Sequence, residues 1–245
     1  MLIYGFHAVL ARLRSAPAGI RELYVDARRE DARVRDLLRI AESAGVRAHF
    51  VDAGRIERLC PRKRHQGVVA LVDAAPPGMR LDELLDAHEG AAEPITLLVL
   101  DGVTDPRNLG ACLRVADGAG VAGVIAPKDR ACALTEIAMQ TASGAAESVP
   151  YVMVTNLARA LDEIGERGIL VVGTDERAPD DLYSLTLAGP LAWVLGAEGS
   201  GMRRLTRERC DQLAHIPMRG QVGSLNVSVA AGVVLYETLR QRSAA

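Results

Sequence analysis

The chain has 245 residues, of which 49% are hydrophobic and 24% are charged, and its formal net charge is −2. These values are ordinary for a globular protein with a sizeable core, and no apolar run approaches the roughly 20 residues of a membrane-spanning helix. Four widely spaced cysteines form no C-x-x-C pair, and the N-terminus lacks signal-peptide features. We therefore expect a cytoplasmic protein without a metal site, a disulfide framework or a membrane partner.

The first 72 residues predict a small α/β unit, because helical and strand patterns alternate along them. Helical spacing covers residues 6–13 and recurs in a second segment further along the chain. The members of that second helix are Val34, Leu37, Leu38 and Ala41. Strand patterns cover residues 22–25, 46–51 and 67–72. We assign residues 1–73 to an N-terminal domain.

This N-terminal domain is basic. Residues 1–75 hold 14 Lys and Arg against 9 Asp and Glu, whereas the rest of the chain holds 15 against 22. Arg62, Lys63 and Arg64 lie in a loop before the last strand, where they are suited to contact phosphates. The domain is thus expected to bind RNA, although chance scatter in charge and an ordinary solvated turn would give the same pattern.

Residues 74–92 have the composition of a linker, with Pro76-Pro77-Gly78 near their start and a short helix over 81–87. Apolar strands and helices alternate again over residues 93–245. Strands are predicted over 95–100, 121–126, 169–173, 191–195 and 213–216, and helices over 106–116, 134–142, 157–164 and 225–240. This alternation predicts an α/β domain with a largely parallel sheet covered on both faces. Ligands of such sheets bind beyond the carboxyl ends of the strands.

Three segments of this second domain combine glycines with polar residues near predicted strand ends. They read Asn108-Leu109-Gly110-Ala111-Cys112-Leu113-Arg114, Gly196-Ala197-Glu198-Gly199-Ser200-Gly201, and Ile216-Pro217-Met218 followed by Ser224-Leu225-Asn226-Val227-Ser228. Glycines allow a backbone to approach a ligand closely. Ordinary structural roles are also open: Glu198 could cap a helix beginning near Met202, and Ser224 could be the N-cap of the last helix.

These three segments resemble the motifs of the SpoU (TrmH) family of ribose 2′-O-methyltransferases, in the SPOUT superfamily. The resemblance extends over nearly the whole chain and begins at Tyr4-Gly5-Phe6-His7. It implies a deep trefoil knot in the C-terminal domain and a homodimer with both active sites at its interface. It also implies S-adenosyl-L-methionine as cofactor. Further matches at residues 101–106, 127–130 and 145–150 are most similar to members that methylate a guanosine in the peptidyl-transferase P loop of 23S ribosomal RNA.

The resemblance also implies roles for individual residues. Backbone groups around Thr174, Gly196, Ile216, Met218 and Leu225 would hold the cofactor. Arg114 would be the central catalytic residue, and Asn108, Glu198, Ser224 and Asn226 would orient it and the ribose. Since a guanidinium holds its proton strongly, we expect Arg114 to clamp the phosphate and the hydroxyl, while an RNA phosphate or water accepts the proton.

Three other functions are alternatives to ribosomal RNA methylation. A nucleotide-dependent dehydrogenase would need an ordered G-x-G-x-x-G fingerprint, which the sequence lacks. A non-catalytic RNA-binding assembly factor would share the fold, but it would not need the motif residues. Methylation of transfer RNA, or of another ribosomal RNA site, would keep the chemistry and change only the substrate.

Overall fold

The computed structural model describes residues 2–61, 65–73 and 79–243, and the chain divides into two compact units. One unit comprises Met1–Pro77 with Ser143–Ser148, and the other comprises Gly78–Ala142 with Val149–Ala245. The predicted linker over 74–92 differs from this division in its second part. The short helix predicted there is present, but its leucines are buried in the core of the second unit, so that this stretch belongs to a domain.

The N-terminal unit is built around a four-stranded mixed sheet. Its elements are β1 (Leu2–Tyr4), α1 (Phe6–Ser15), β2 (Ile20–Asp26), α2 (Ala32–Ser43), β3 (Ala48–Val51), α3 (Ala53–Leu59) and β4 (Val68–Val72). The strand order is β1-β4-β2-β3, in which β2 and β3 are parallel and the other pairs are antiparallel. The prediction of a small α/β unit is thus confirmed. The structure also contains β1 and α3, which were not predicted from the sequence. Strand β3 lies at an edge of the sheet.

The second unit contains seven strands and most of the remaining helices. Its strands are β5 (Thr96–Asp101), β6 (Gly123–Pro127), β7 (Tyr151–Val154), β8 (Leu170–Thr174), β9 (Asp180–Asp181), β10 (Leu191–Gly196) and β11 (Gln212–His215). The helices of this part of the chain are α4 (Leu81–Asp86), α5 (Pro106–Gly118), α6 (Glu136–Ala142), α7 (Ala145–Ser148), α8 (Leu157–Glu166), α9 (Arg204–Arg207) and α10 (Val227–Ser243). Of these, α7 groups with the N-terminal unit. Within the described ranges, no helix is long and apolar enough to cross a membrane.

The sheet of the second unit has the order β7-β6-β5-β10-β8-β11-β9, and all its strand pairs are parallel. The predicted parallel sheet is therefore confirmed. Strand β7 was not predicted, because its four residues follow Pro150 directly and are too few to show a clear period. Strand β10 lies at the centre, between β5 and β8, although β5 precedes it by almost 100 residues.

Helices cover both faces of this sheet. On one face Leu97 and Val99 pack with the buried leucines of α4 and with α8. On the other face α10 packs against α5 and β10, and Trp193 donates a hydrogen bond from Nε1 to Thr238 Oγ1 at 2.9 Å. Adjacent residues of β5 and β10 therefore point to opposite faces, yet all of them except Gly196 at the end of β10 are buried. This burial leaves the strand ends as the places where polar groups can gather.

Candidate functional site

The carboxyl ends of β5, β10 and β8 lie side by side. Leu195 is in register with Leu100, and Gly196 with Asp101. On the other side of β10, Val194 is in register with Gly173, one residue before the end of β8. Because parallel strands end at a common edge, the segments that follow them begin close together. This edge carries the polar segments singled out in the sequence.

The segment after β10 forms a tight turn that needs its glycines. Ala197 and Gly201 exchange two backbone hydrogen bonds, of 3.2 and 2.8 Å. Gly199 and Gly201 have φ values of 78° and 65°, a region that side chains disfavour. At Gly196 a Cβ atom would lie 2.1 Å from the carbonyl carbon of Gly201, so the turn folds back directly onto the strand end.

An ion pair between a buried carboxylate and a partly exposed arginine anchors this turn to β5. The Asp101 side chain is fully buried and accepts hydrogen bonds from Arg203 N at 2.8 Å and from Arg203 Nε at 2.6 Å. Removing one member of such a pair leaves an uncompensated buried charge, which is strongly destabilising. Asp101 and Arg203 thus hold the end of the turn on the strand. Sequence reasoning missed this pair, because 102 residues separate its members.

The side chain of Asn226 joins the three segments. Its Nδ2 donates to Asn108 Oδ1 at 2.9 Å and to Glu198 Oε1 at 2.6 Å. Asn108 lies in the first turn of α5, Glu198 in the turn after β10, and Asn226 just before α10. The structure therefore brings together one residue from each predicted motif.

The same cluster caps the N-terminus of α10. Asn226 Oδ1 accepts from Ser228 N at 3.0 Å and from Ser228 Oγ at 2.6 Å. Glu198 Oε1 also accepts from Val227 N at 3.3 Å, where a carboxylate is favoured by the helix dipole. The sequence left open that Ser224 caps the last helix and that Glu198 caps α9. In the structure, Asn226 and Glu198 cap α10 instead. These bonds fix which way the amide of Asn226 points.

A cavity of about 590 Å³ opens beside this cluster. It is lined by all five residues expected to hold a cofactor, namely Thr174, Gly196, Ile216, Met218 and Leu225. Glu198 and Ser224 also line it. Its volume is in the range of small-molecule and cofactor sites. Residues 217–225 make no backbone–backbone hydrogen bond with the described part of the chain, so their backbone groups are available to a ligand.

Charged side chains lie on one wall of the cavity. Asp175 accepts a 2.7 Å hydrogen bond from Arg207 Nε, and both residues line the cavity. Partial burial alone would raise the pKa of Asp175, but hydrogen bonds from the amide of Arg177 and from the Arg207 guanidinium lower it overall. Asp175 is thus held as a carboxylate in the segment after β8.

Arg114 stands apart from the Asn226 cluster. It lies two turns beyond Asn108 on α5, and its side chain is exposed. It does not line the cavity, and its side chain makes no hydrogen bond or ion pair with any described residue. The predicted RNA-binding residues Arg62, Lys63 and Arg64 lie outside the described residues. In the described ranges no cluster of His, Cys, Asp and Glu is arranged to hold a metal ion.

Two family descriptions match the two units of the chain. The SpoU rRNA methylase family matches residues 95–236, and the RNA 2′-O ribose methyltransferase substrate-binding domain matches residues 2–78. The boundaries of these matches fall close to those of the sequence-based domains. Together they cover almost the whole chain.

This chain is similar to curated relatives along nearly their entire length. The 23S rRNA (guanosine-2′-O-)-methyltransferase RlmB of Ralstonia nicotianae is 57% identical over 99% of this chain and 96% of the relative. The enzyme of the same name from Neisseria meningitidis is 53% identical over 98% of this chain and 95% of the relative. The alignments thus span both units of this chain.

Solved structures share the fold. The SpoU methyltransferase AviRb from Streptomyces viridochromogenes, in complex with the cofactor AdoMet, aligns with a TM-score of 0.79 and 27% identity. That alignment covers 100% of this chain and 91% of AviRb. A TrmH/SpoU tRNA modifying enzyme from A. aeolicus aligns with a TM-score of 0.56 and 28% identity, over only 67% of this chain.

Replacing Gly196 with alanine tests the close approach in the turn. The added Cβ would overlap the backbone of Gly201 and Met202, and overpacking of this kind destabilises by about 1–3 kcal/mol. Urea unfolding followed by circular dichroism measures the loss. The matched control is Gly189→Ala, whose Cβ would meet no atom within 4 Å. Equal stabilities of the two variants would show that the turn is looser than described.

Proposed function

The chain belongs to the SpoU rRNA methylase family, and from this premise we propose that it methylates the ribose 2′-oxygen of a guanosine in 23S ribosomal RNA, in the peptidyl-transferase P loop. The single observation that carries the proposal is the Asn226 amide, which links Asn108 and Glu198 beside a cavity lined by the expected cofactor residues. We also propose a cytoplasmic location, because ribosomal RNA is found there.

The cavity suits S-adenosylmethionine in its size and in its donor set. An adenine ring needs hydrogen-bond donors and acceptors, and the unpaired backbone of residues 217–225 offers both. Thr174, Gly196, Ile216, Met218 and Leu225 are the residues we assign to holding the cofactor. When bound, S-adenosylmethionine supplies a methyl group on a positively charged sulfur. The Glu198 carboxylate on the cavity wall is compatible with that charge.

The residues of the chain act mainly by positioning and by charge. In the reaction a bond forms between the ribose oxygen and the methyl carbon, the carbon–sulfur bond breaks, and the hydroxyl loses its proton. We assign Asn108, Glu198, Ser224 and Asn226 to orienting the ribose, since they lie at or beside the cavity mouth. Such orientation can supply a large part of a rate enhancement.

Arg114 has the charge that the substrate requires. A guanidinium keeps its proton at physiological pH and binds phosphates in a fixed, bidentate geometry. We therefore assign Arg114 to clamping the RNA phosphate and the attacking hydroxyl, while an RNA phosphate or water accepts the proton. Because the Arg114 side chain makes no hydrogen bond with the Asn226 cluster of its own chain, we propose that it completes the site of a second subunit in a homodimer.

The substrate assignment rests on the relatives and on the N-terminal domain. The curated relatives carry the name of the 23S enzyme and span both units, whereas the aligned transfer-RNA enzyme covers only two thirds of this chain. We therefore favour ribosomal RNA over transfer RNA. Within the N-terminal domain we assign Arg62, Lys63 and Arg64 to contacts with RNA phosphates. From the family resemblance we also propose a deep trefoil knot in the C-terminal domain.

The central experiment removes the Arg114 charge and maps the product. A 23S P-loop hairpin is incubated with S-adenosylmethionine, and the methylated nucleotide is located by mass spectrometry. Arg114→Ala is expected to lower the rate by about 100-fold or more, because it removes charge stabilisation at the reacting oxygen. Calorimetry should find its cofactor affinity unchanged. A wild-type rate in this variant would remove Arg114 from the mechanism, and wild-type protein that binds the cofactor but methylates nothing would favour an assembly factor.

Mixed subunits test whether Arg114 acts across a dimer. Arg114→Ala and Glu198→Ala chains carrying different affinity tags are co-expressed, and the heterodimer is purified on both tags. If the arginine serves the partner's site, one of the two sites is intact, and about half of the wild-type rate returns. If the arginine serves its own chain, both sites are defective and the heterodimer stays inactive. The two homodimeric variants are the controls.

Removing the positive charges of residues 62–64 tests whether the N-terminal domain binds RNA. The triple variant Arg62→Gln, Lys63→Gln, Arg64→Gln should bind the hairpin more weakly. Each lost phosphate contact should reduce the slope of log affinity against log salt by about 0.7–0.9. Fluorescence anisotropy at several salt concentrations measures both quantities, and cofactor affinity is the internal control. An unchanged salt slope would contradict the assignment.

A further inference from the structure

The N-terminal unit carries a second cavity, of about 470 Å³, beside its edge strand β3. It is lined by residues of β2 and β3, by Arg47 just before β3, and by Arg55 in the first turn of α3. The volume is in the range of small-ligand sites. Because β3 has only one neighbouring strand in this sheet, the cavity lies at an open side of the unit.

Three flat polar groups lie close together at this cavity. Tyr24 and His49 are paired in the register of β2 and β3, and their ring centroids are 5.9 Å apart. The Arg55 guanidinium carbon lies 5.6 Å from the centroid of the Tyr24 ring. Tyr24 is nearly buried, whereas His49 and Arg55 are exposed. The planes of an imidazole and of a guanidinium are therefore accessible, and unpaired bases stack on both groups.

The charges of the cavity are suited to a nucleotide. Arg47 and Arg55 have no carboxylate within ion-pair distance among the described residues, whereas Arg21 and Arg28 of the same unit each pair with an aspartate. Among the described residues of the lining, the single acidic group is Glu22, which accepts a hydrogen bond from the Tyr24 hydroxyl. Two exposed cations thus remain for a phosphate. They would also repel a second copy of the same surface.

We propose that this cavity, formed by Glu22, Tyr24, Arg47, His49 and Arg55, binds one unpaired nucleotide of the RNA substrate, at a site separate from the methylated ribose. The base stacks on His49 and Arg55, and Arg47 contacts a phosphate. A base inside a duplex has both faces covered by its neighbours, so the site selects a loop or bulge nucleotide. This inference rests on the proposed function, since it assigns a part of the same RNA.

Abasic substitution separates base binding from phosphate binding. In the P-loop hairpin, each unpaired nucleotide is replaced in turn by an abasic residue, which keeps the phosphate charge and removes the base. Affinity for full-length protein is measured by fluorescence anisotropy. At one position the loss of the base should weaken wild-type binding by about tenfold, the usual effect of one stacked base.

The variant His49→Ala should remove this dependence. It should bind the intact hairpin about tenfold more weakly than the wild type, and the abasic substitution at the sensitive position should then have no further effect. His49→Phe keeps a flat ring and should retain the dependence. Arg47→Gln should weaken binding to the intact and abasic RNAs alike. Arg33→Gln, which alters another exposed arginine of the unit, is the matched control and should behave as wild type.

Two results would overturn the proposal. One is that every abasic substitution weakens RNA binding of the wild type and of His49→Ala by the same factor. The other is a change in sedimenting mass, rather than in RNA affinity, for His49→Ala, which would identify the surface as an interface between copies. Methylation of the same hairpin is scored separately. A wild type that methylates without any His49-dependent position would refute this subsite alone, whereas absence of methylation would refute the proposed function.

Discussion

The parallel register of β5, β10 and β8 is the constraint on which the site depends. It brings the ends of three strands to one edge, although the chain visits β5, β8 and β10 at widely separated points. The Asn226 amide then needs only two hydrogen bonds to join the segments that follow. A register slip of one residue would turn every side chain of a strand to the opposite face of the sheet, where it would no longer fit the helix packed there. The packing of the sheet on both faces therefore protects the geometry of the site.

The site combines a rigid, buried lower part with an accessible rim. Below the rim, Asp101 is fully buried and holds the turn after β10 through Arg203. At the rim, Asn226 is exposed, and its hydrogen bonds to Asn108 and Glu198 fix its orientation beside the cavity. Orientation of this kind is what methyl transfer between two bound reactants requires, because the attacking atom must lie in line with the departing sulfur. The remaining backbone groups of residues 217–225 are left for the cofactor we assign to the cavity.

The division of charge between the two units matches a division of tasks. The second unit carries more acidic than basic residues and encloses a cavity suited to a cation, whereas the first is basic. In the first unit, Arg21 and Arg28 are paired with aspartates, yet Arg47 and Arg55 line a cavity and have no such partner in the described part of the chain. Phosphate contacts alone give affinity without selecting a loop, whereas stacking of a base selects an unpaired nucleotide. The proposed subsite would thus add selectivity to a unit whose charge supplies the attraction.

The sequence alone determined the class of the fold and the residues of the motifs, since hydrophobic periodicity and glycine spacing are local properties of the chain. Strand β10 and helix α5 were predicted nearly at their observed bounds, and the family resemblance identified Asn108, Glu198 and Asn226. The tertiary structure decided how these residues meet: the order of the strands, the Asp101–Arg203 pair, the capping of α10 by Asn226, and the separation of Arg114 from the cluster. It also revealed the cavity around His49, whose lining comes from two strands and a helix. These features depend on contacts between residues far apart in the chain, and such contacts leave no periodic signal in the sequence.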